Sequence, residues 1–326
     1  VGSEMCIRDS PHPAVCNNGF IYLLRMQEVL NMFENPANWL TLNGILLGAV
    51  FGFVVLQYRI CMVAAVSNVS LIKDYRYLLS LAFSALVAIT GTQLLEINDI
   101  VEINKASYRG AQLDWLGVIA GGLVFGIGAT LAGGDAARVV VYAGQGSKAG
   151  WFAVFFFLVF AAITQLGLLA IPREYSLSVN SINLSGGDAG LAALLSAPKW
   201  LMLAIVDLAI LVFIISKFKK HFDLKLAIVG VLLGLVVVAA WYTTGVLAVD
   251  EFDPKPPAAM AVSGPMWKIA NYLISGGKHH LDLALSFVIG LFAISFIISI
   301  VTGKFKTASS EFNVGAVSLG GALMGI

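Results

Sequence analysis

The chain has 326 residues, of which 59% are hydrophobic and 12% charged, with a formal net charge of +1 and a mean hydropathy of +0.87. This composition excludes a water-soluble globular domain. The near-zero net charge excludes a nucleic-acid partner, which would call for a strongly basic surface.

The first ten residues, VGSEMCIRDS, resemble a translated sequencing adapter and carry no targeting pattern, so residues 1–25 are read as an artefactual leader. The native start is expected at Met26 or Met32, with 26–38 a periplasmic N-terminal segment. Of the three cysteines only Cys61 then belongs to the body of the chain, and no disulfide framework is possible. A helix needs about 20 apolar residues to cross the hydrocarbon core. With no water there to satisfy open backbone groups, long uninterrupted runs must be helices. Uncharged runs place spans at 39–57, 77–95, 115–134, 149–171, 200–216, 226–249 and 283–302, and an eighth begins at 312 and reaches 326.

The connecting segments divide by charge. Segments 58–76, 135–148, 217–225 and 303–311 together hold 11 Lys/Arg, whereas 96–114, 172–199 and 250–282 hold 7 Lys/Arg with 10 Asp/Glu. The positive-inside rule makes the first set cytoplasmic, with Lys217, Lys219 and Lys220, and the second periplasmic, with Asp250, Glu251 and Asp253. The halves also resemble each other in order. GILLGAVFGFVV from Gly44 matches GVLLGLVVVAAW from Gly230, MVAAVSNVSLIKDYRYL from Met62 matches MAVSGPMWKIANYL from Met260, and GGLVFGI from Gly121 matches GGALMGI from Gly320.

One extra span between the halves makes this an inverted repeat. Residues 39–171 form the first repeat, 172–225 a periplasmic loop and linker span, and 226–326 the second repeat. Four spans per repeat plus the linker predict nine, of which about eight are present, so the natural chain is expected to continue past Ile326 with a turn like that at 132–135 and a ninth span. In such folds the substrate lies near the midplane, where interrupted segments of both halves meet. The segments around Ser67 and Asn68, and around Ser263 and Gly264, are too short and polar to cross and are read as paired re-entrant half-helices.

Several residues in this pattern could carry chemistry. Cys61 is either a small packing residue or a group lining the path. Arg59 is either a positive-inside anchor or a guanidinium fork for an oxyanion. Gly121, Gly122, Gly126 and Gly128 form a small-residue ridge that lets helices approach. Gly133 and Gly134 permit a sharp re-entrant turn with backbone N–H groups free to face an anion. Asp135 stands three residues before Arg138, a spacing that permits an ion pair. A carboxylate at a re-entrant end is also a functional candidate. Asp207, in the middle of the linker span, is read as a structural hydrogen-bond acceptor for a neighbouring helix. No nucleotide-binding motif is present and the four histidines lack metal spacing, so no enzyme, cofactor or metal site is expected.

FGFVVLQYRIC, GGLVFGIGATLAGGDAARVVVYAGQGS and the terminal GGALMGI resemble the YeeE/YedE sulphur-transport family, from about residue 40 onward. Gly52, Phe53, Gln57, Arg59 and Cys61 match its stretch that ends in a cysteine. The family's alanine-glycine-glycine-cysteine turn appears as Ala132, Gly133, Gly134 and Asp135, with the cysteine replaced. The resemblance implies an hourglass that passes thiosulphate or related sulphur species between cysteines by transient S–H···S contacts. It implies uptake of a small sulphur-containing anion across the inner membrane; together with the half-helix and spacing readings, the expected path takes Gln57, Arg59, Cys61, Ser67, Gly133, Gly134, Asp135, Arg138 and Ser263. Alternatives are a sulphur or selenium relay partner of a soluble sulphur carrier, and a structural subunit that transports nothing.

Overall fold

The computed structural model describes residues 36–326 apart from 107–108, 111, 184–189, 250–254, 278–280 and 306–311. The leader at 1–25, residues 26–35, and Asp250, Glu251 and Asp253 lie outside the described residues. Thirteen helices follow in order among them: α1 Pro36–Tyr58, α2 Met62–Ile72, α3 Arg76–Ile97, α4 Trp115–Ala132, α5 Ala136–Gly144, α6 Lys148–Leu166, α7 Ala170–Asn180, α8 Leu191–Leu194, α9 Lys199–His221, α10 Leu224–Tyr242, α11 Pro265–Ile274, α12 Leu283–Val301 and α13 Val314–Gly325. Seven helical stretches are long and apolar enough to cross a membrane, and each contains or overlaps one of the first seven predicted spans. The chain is an all-α polytopic membrane protein. Its extended structure, among the described residues, is one antiparallel pair of two-residue strands, β1 Gln112–Leu113 and β2 Ile182–Asn183, joining two loops.

Some boundaries differ from the sequence reading. The span predicted at 149–171 ends at Leu166, because Gly167 leaves helical geometry (φ −111°, ψ −149°) and α7 starts afresh. The linker span is longer than predicted and runs as α9 to His221. The segment around Ser67 and Asn68 forms the 11-residue α2, whereas Ser263 and Gly264 lie just ahead of Pro265, where the 10-residue α11 begins.

In lipid there is no hydrophobic drive between helices, so close approach comes from small residues. A Cβ on Gly44 of α1 would sit 2.6 Å from Cβ of Ser286 on α12, and one on Gly48 would strike the Phe287 carbonyl. In the other half, a Cβ on Gly230 of α10 would strike the Ser80 carbonyl on α3, and one on Gly234 would lie 2.7 Å from the Ser84 carbonyl. Thus α1 lies on α12 as α10 lies on α3. The helices that carry the third internal match also meet, where a Cβ on Gly128 of α4 would lie 2.8 Å from the Gly320 carbonyl of α13. Asp114 and Asn313 cap these two helices in the same way, each side chain accepting an N–H from three residues on.

The loops gather at two ends as their charge pattern groups them. At one end His221 approaches Asp74 at 3.9 Å and Lys217 lies over the Tyr75 ring at 4.5 Å, joining the 217–221 turn to the α2–α3 turn. The Arg76 fork on Asp74 holds that carboxyl below the usual carboxylate range. At the other end buried Glu96 binds Arg109 at 2.8 Å and Lys199 at 3.0 Å, and the β1–β2 pair ties 112–113 to 182–183. The linker helix α9 packs on α3 and turns Leu208, Val212 and Ile215 outward. Its Asp207 accepts from Thr90 of α3 at 2.9 Å, the structural bond expected of it.

Candidate functional site

The site is built where α1 stops. Arg59 takes a left-handed backbone (φ 53°), which costs a side-chain-bearing residue on the order of 1 kcal/mol. Cys61 is extended (φ −156°, ψ 134°), and α2 begins one residue later. As the N-cap of α2 Cys61 offers no side-chain bond to the exposed N–H groups. A residue 73 positions away does so, since Asp135 Oδ2 accepts the Met62 N–H at 3.0 Å.

Asp135 belongs to a second break. Gly133 adopts φ 82°, a conformation that suits glycine, and ends α4. Asp135 then caps α5, its Oδ1 accepting the Arg138 N–H at 3.0 Å. One carboxylate therefore fastens the starts of α2 and α5 together. The Asp135–Arg138 contact is made through the backbone, in place of the ion pair that the spacing permits. The Arg138 guanidinium instead donates Nε–H to the Tyr142 hydroxyl at 2.7 Å and reaches the Arg59 carbonyl at 3.4 Å. Cys61 is a free thiol and 2% exposed.

This double break faces a cavity of about 940 Å³. Arg59, Arg138, Lys148 and Lys304 line it together with Gly133, Tyr142, Gln145 and Ser147, and no described carboxylate does. Four cations against partly apolar walls focus a positive potential that concentrates small anions. A second cavity of about 390 Å³ lies further along the same helix pair. On α4 the two cavities take 131–133 and 121–125, with Gly128 between them; on α13 they take Val317 and 324–326, with Gly320 between them. The glycine crossing thus separates the two cavities. Of the predicted glycine ridge, only Gly128 is closely packed: among the described residues no atom lies within 4 Å of a Cβ on Gly121, Gly122 or Gly126, and the first two line the second cavity.

The structure brings Arg59, Cys61, Gly133, Gly134, Asp135 and Arg138 to one place. Arg59, Gly133 and Arg138 line the larger cavity and Ser263 the second, whereas Gln57, Cys61, Ser67, Gly134 and Asp135 line neither. Tyr142, Lys148 and Lys304 went unnoticed as site residues; the two lysines register in sequence only as loop charges. No group of described His, Cys, Asp and Glu could hold a metal ion.

Comparison with known proteins gives three matches. The family described as "Sulphur transport" matches over residues 58–326. The thiosulfate transporter TsuA of Escherichia coli (strain K12) is 26% identical over 310 residues, 87% of this chain and 82% of that protein. The thiosulfate transporter TsuA of Spirochaeta thermophila is 36% identical over 126 residues, 38% of this chain and 36% of that one.

Proposed function

Because this chain belongs to the sulphur-transport family, we propose that it takes up a small sulphur-containing anion, such as thiosulphate, across the inner membrane through the two cavities and the glycine crossing between them. The observation that carries this reading is the larger cavity: four cations and no described carboxylate, set against the break that holds Cys61. Such a cavity attracts an oxyanion, and the neighbouring polarizable thiol suits the sulphur end of one. The pairing of α1 on α12 with α10 on α3 supports an inverted repeat, with α2 and α11 as its re-entrant segments. In this reading the chain performs no chemistry and needs no cofactor or metal. The test is uptake of labelled thiosulphate by cells with no other route for it. Accumulation above the empty host is expected, and none with the protein present in the membrane rejects transport. Accumulation that appears only with a co-expressed soluble sulphur carrier would favour the relay.

Sidedness follows from the basic loops: the end with Lys148, Lys217, Lys219, Lys220 and Lys304 faces the cytoplasm. A cysteine at 219 should resist an impermeant thiol reagent in intact cells while one at 253 reacts. The reverse pattern overturns the orientation.

A further inference from the structure

We propose that Tyr142 is a positioning residue for anion recognition: its hydroxyl aims the Arg138 guanidinium at the basic cavity without neutralising it, and Arg138 is the fork that takes the oxygen end of the anion. For the identity of the ligand this rests on the transport reading above. Its geometry rests on the contacts that fix the arginine and the tyrosine in turn.

Arg138 is the third residue of α5, and Asp135 holds its backbone N–H at 3.0 Å. From there the side chain runs back over the turn that precedes the helix. A Cβ on Gly134 would lie 2.9 Å from Cδ of Arg138 and 3.0 Å from its Cβ and Cγ, so the stem takes this course only because position 134 carries no side chain. At the far end Nε donates to the Tyr142 hydroxyl at 2.7 Å, and Nη1 donates to the Arg59 carbonyl at 3.4 Å across the gap between the two breaks. Tyr142 is itself pinned. A Cβ on Gly150 of α6 would lie 2.6 Å from its carbonyl carbon and 2.9 Å from its Cβ, so α6 lies directly against it, and the Ser147 N–H binds its carbonyl at 3.0 Å.

The choice of partner decides what the arginine can do. A carboxylate in place of the phenol would orient the fork equally well but would cancel its charge. A hydroxyl accepts the Nε–H and adds no charge of its own, and a guanidinium has more donors than these two bonds use. Arg138 and Tyr142 both line the cavity, and no described carboxylate does. Lys148 and Lys304 on the same wall are point charges that draw an anion in. A flat fork held in one orientation adds the geometry that matches two oxygens of one anion.

The test is a double-substitution cycle, read by calorimetric binding of thiosulphate to the purified protein and by the half-saturating concentration for uptake. Tyr142→Phe keeps the ring and loses the acceptor, and should raise both constants several-fold; Arg138→Gln should raise them about tenfold or more. Once Arg138→Gln is in place, Tyr142→Phe should add nothing, because the hydroxyl acts through the guanidinium. Tyr142→Glu keeps an acceptor but neutralises the fork, and should weaken binding more than Tyr142→Phe does. Unchanged constants in Tyr142→Phe, or the same factor with and without Arg138→Gln, would overturn the positioning role while leaving transport standing. Non-additive loss of binding in a protein that takes up no thiosulphate would keep the role and discard transport. Neither binding nor uptake by the parent protein would discard both. Loss of Arg138→Gln from the membrane shifts the decision to the other pair, where Tyr142→Glu binding as well as Tyr142→Phe would equally overturn the role.

Discussion

Cys61→Ser is expected to abolish uptake of labelled thiosulphate, by about a hundredfold or more, with the protein at its normal level in the membrane. The substitution discriminates well because of where Cys61 stands. It is the N-cap of α2 and supplies no capping bond, and serine is among the best N-cap residues. The exchange therefore leaves the helix start at least as stable as before. The loss of volume is small. What disappears is a polarizable sulphur beside a cationic cavity, the property that a sulphur-containing anion would use and that packing does not need. Near-normal uptake by Cys61→Ser would reduce this cysteine to packing. Loss of uptake in Cys61→Ser matched by loss of protein from the membrane would assign it to folding.

Much of the fold is legible in the sequence because the bilayer simplifies the problem. A span has a required length and composition, and the seven long apolar runs all reappear as helices. The grouping of loops follows from charge, and Asp74–His221 at one end and Glu96–Lys199 at the other agree with it. Boundaries at glycine are harder. Gly133 ends α4 close to the expected turn, but Gly167, inside an apolar run, carries no sign that the chain breaks there.

The site is legible only in part, for a physical reason. Arg59, Cys61 and Arg138 can be picked out by type, but partners far apart in the chain cannot: the N–H that Asp135 accepts from Met62 depends on how two breaks meet in space. Local spacing suggested an ion pair with Arg138, and the geometry uses Arg138's backbone.

Asp135→Ala should cause the other large loss, in folded protein and in uptake together, while Asp135→Asn should largely preserve both. The carboxylate caps two helices at once, through Met62 N–H and Arg138 N–H. Removing one cap costs about 1 kcal/mol, and each loss here is felt more because the two breaks hold each other in place. Alanine frees both N–H groups, and the α2 start is then no longer fastened to α5. Asparagine caps about as well as aspartate, and its one carbonyl oxygen keeps one of the two bonds while its amide nitrogen, a donor, cannot accept the other. It also removes a negative charge from the neighbourhood of the anion, so uptake by Asp135→Asn should match or exceed that of the parent protein. Asp135→Cys separates capping from sulphur handling. A helix N-terminus favours the thiolate, which can accept the Arg138 N–H and restores the cysteine of the family's turn, so this variant should retain uptake despite a lower melting temperature in detergent. Loss of uptake in Asp135→Asn at full membrane abundance would show that the negative charge itself takes part, as when a proton or cation accompanies the anion.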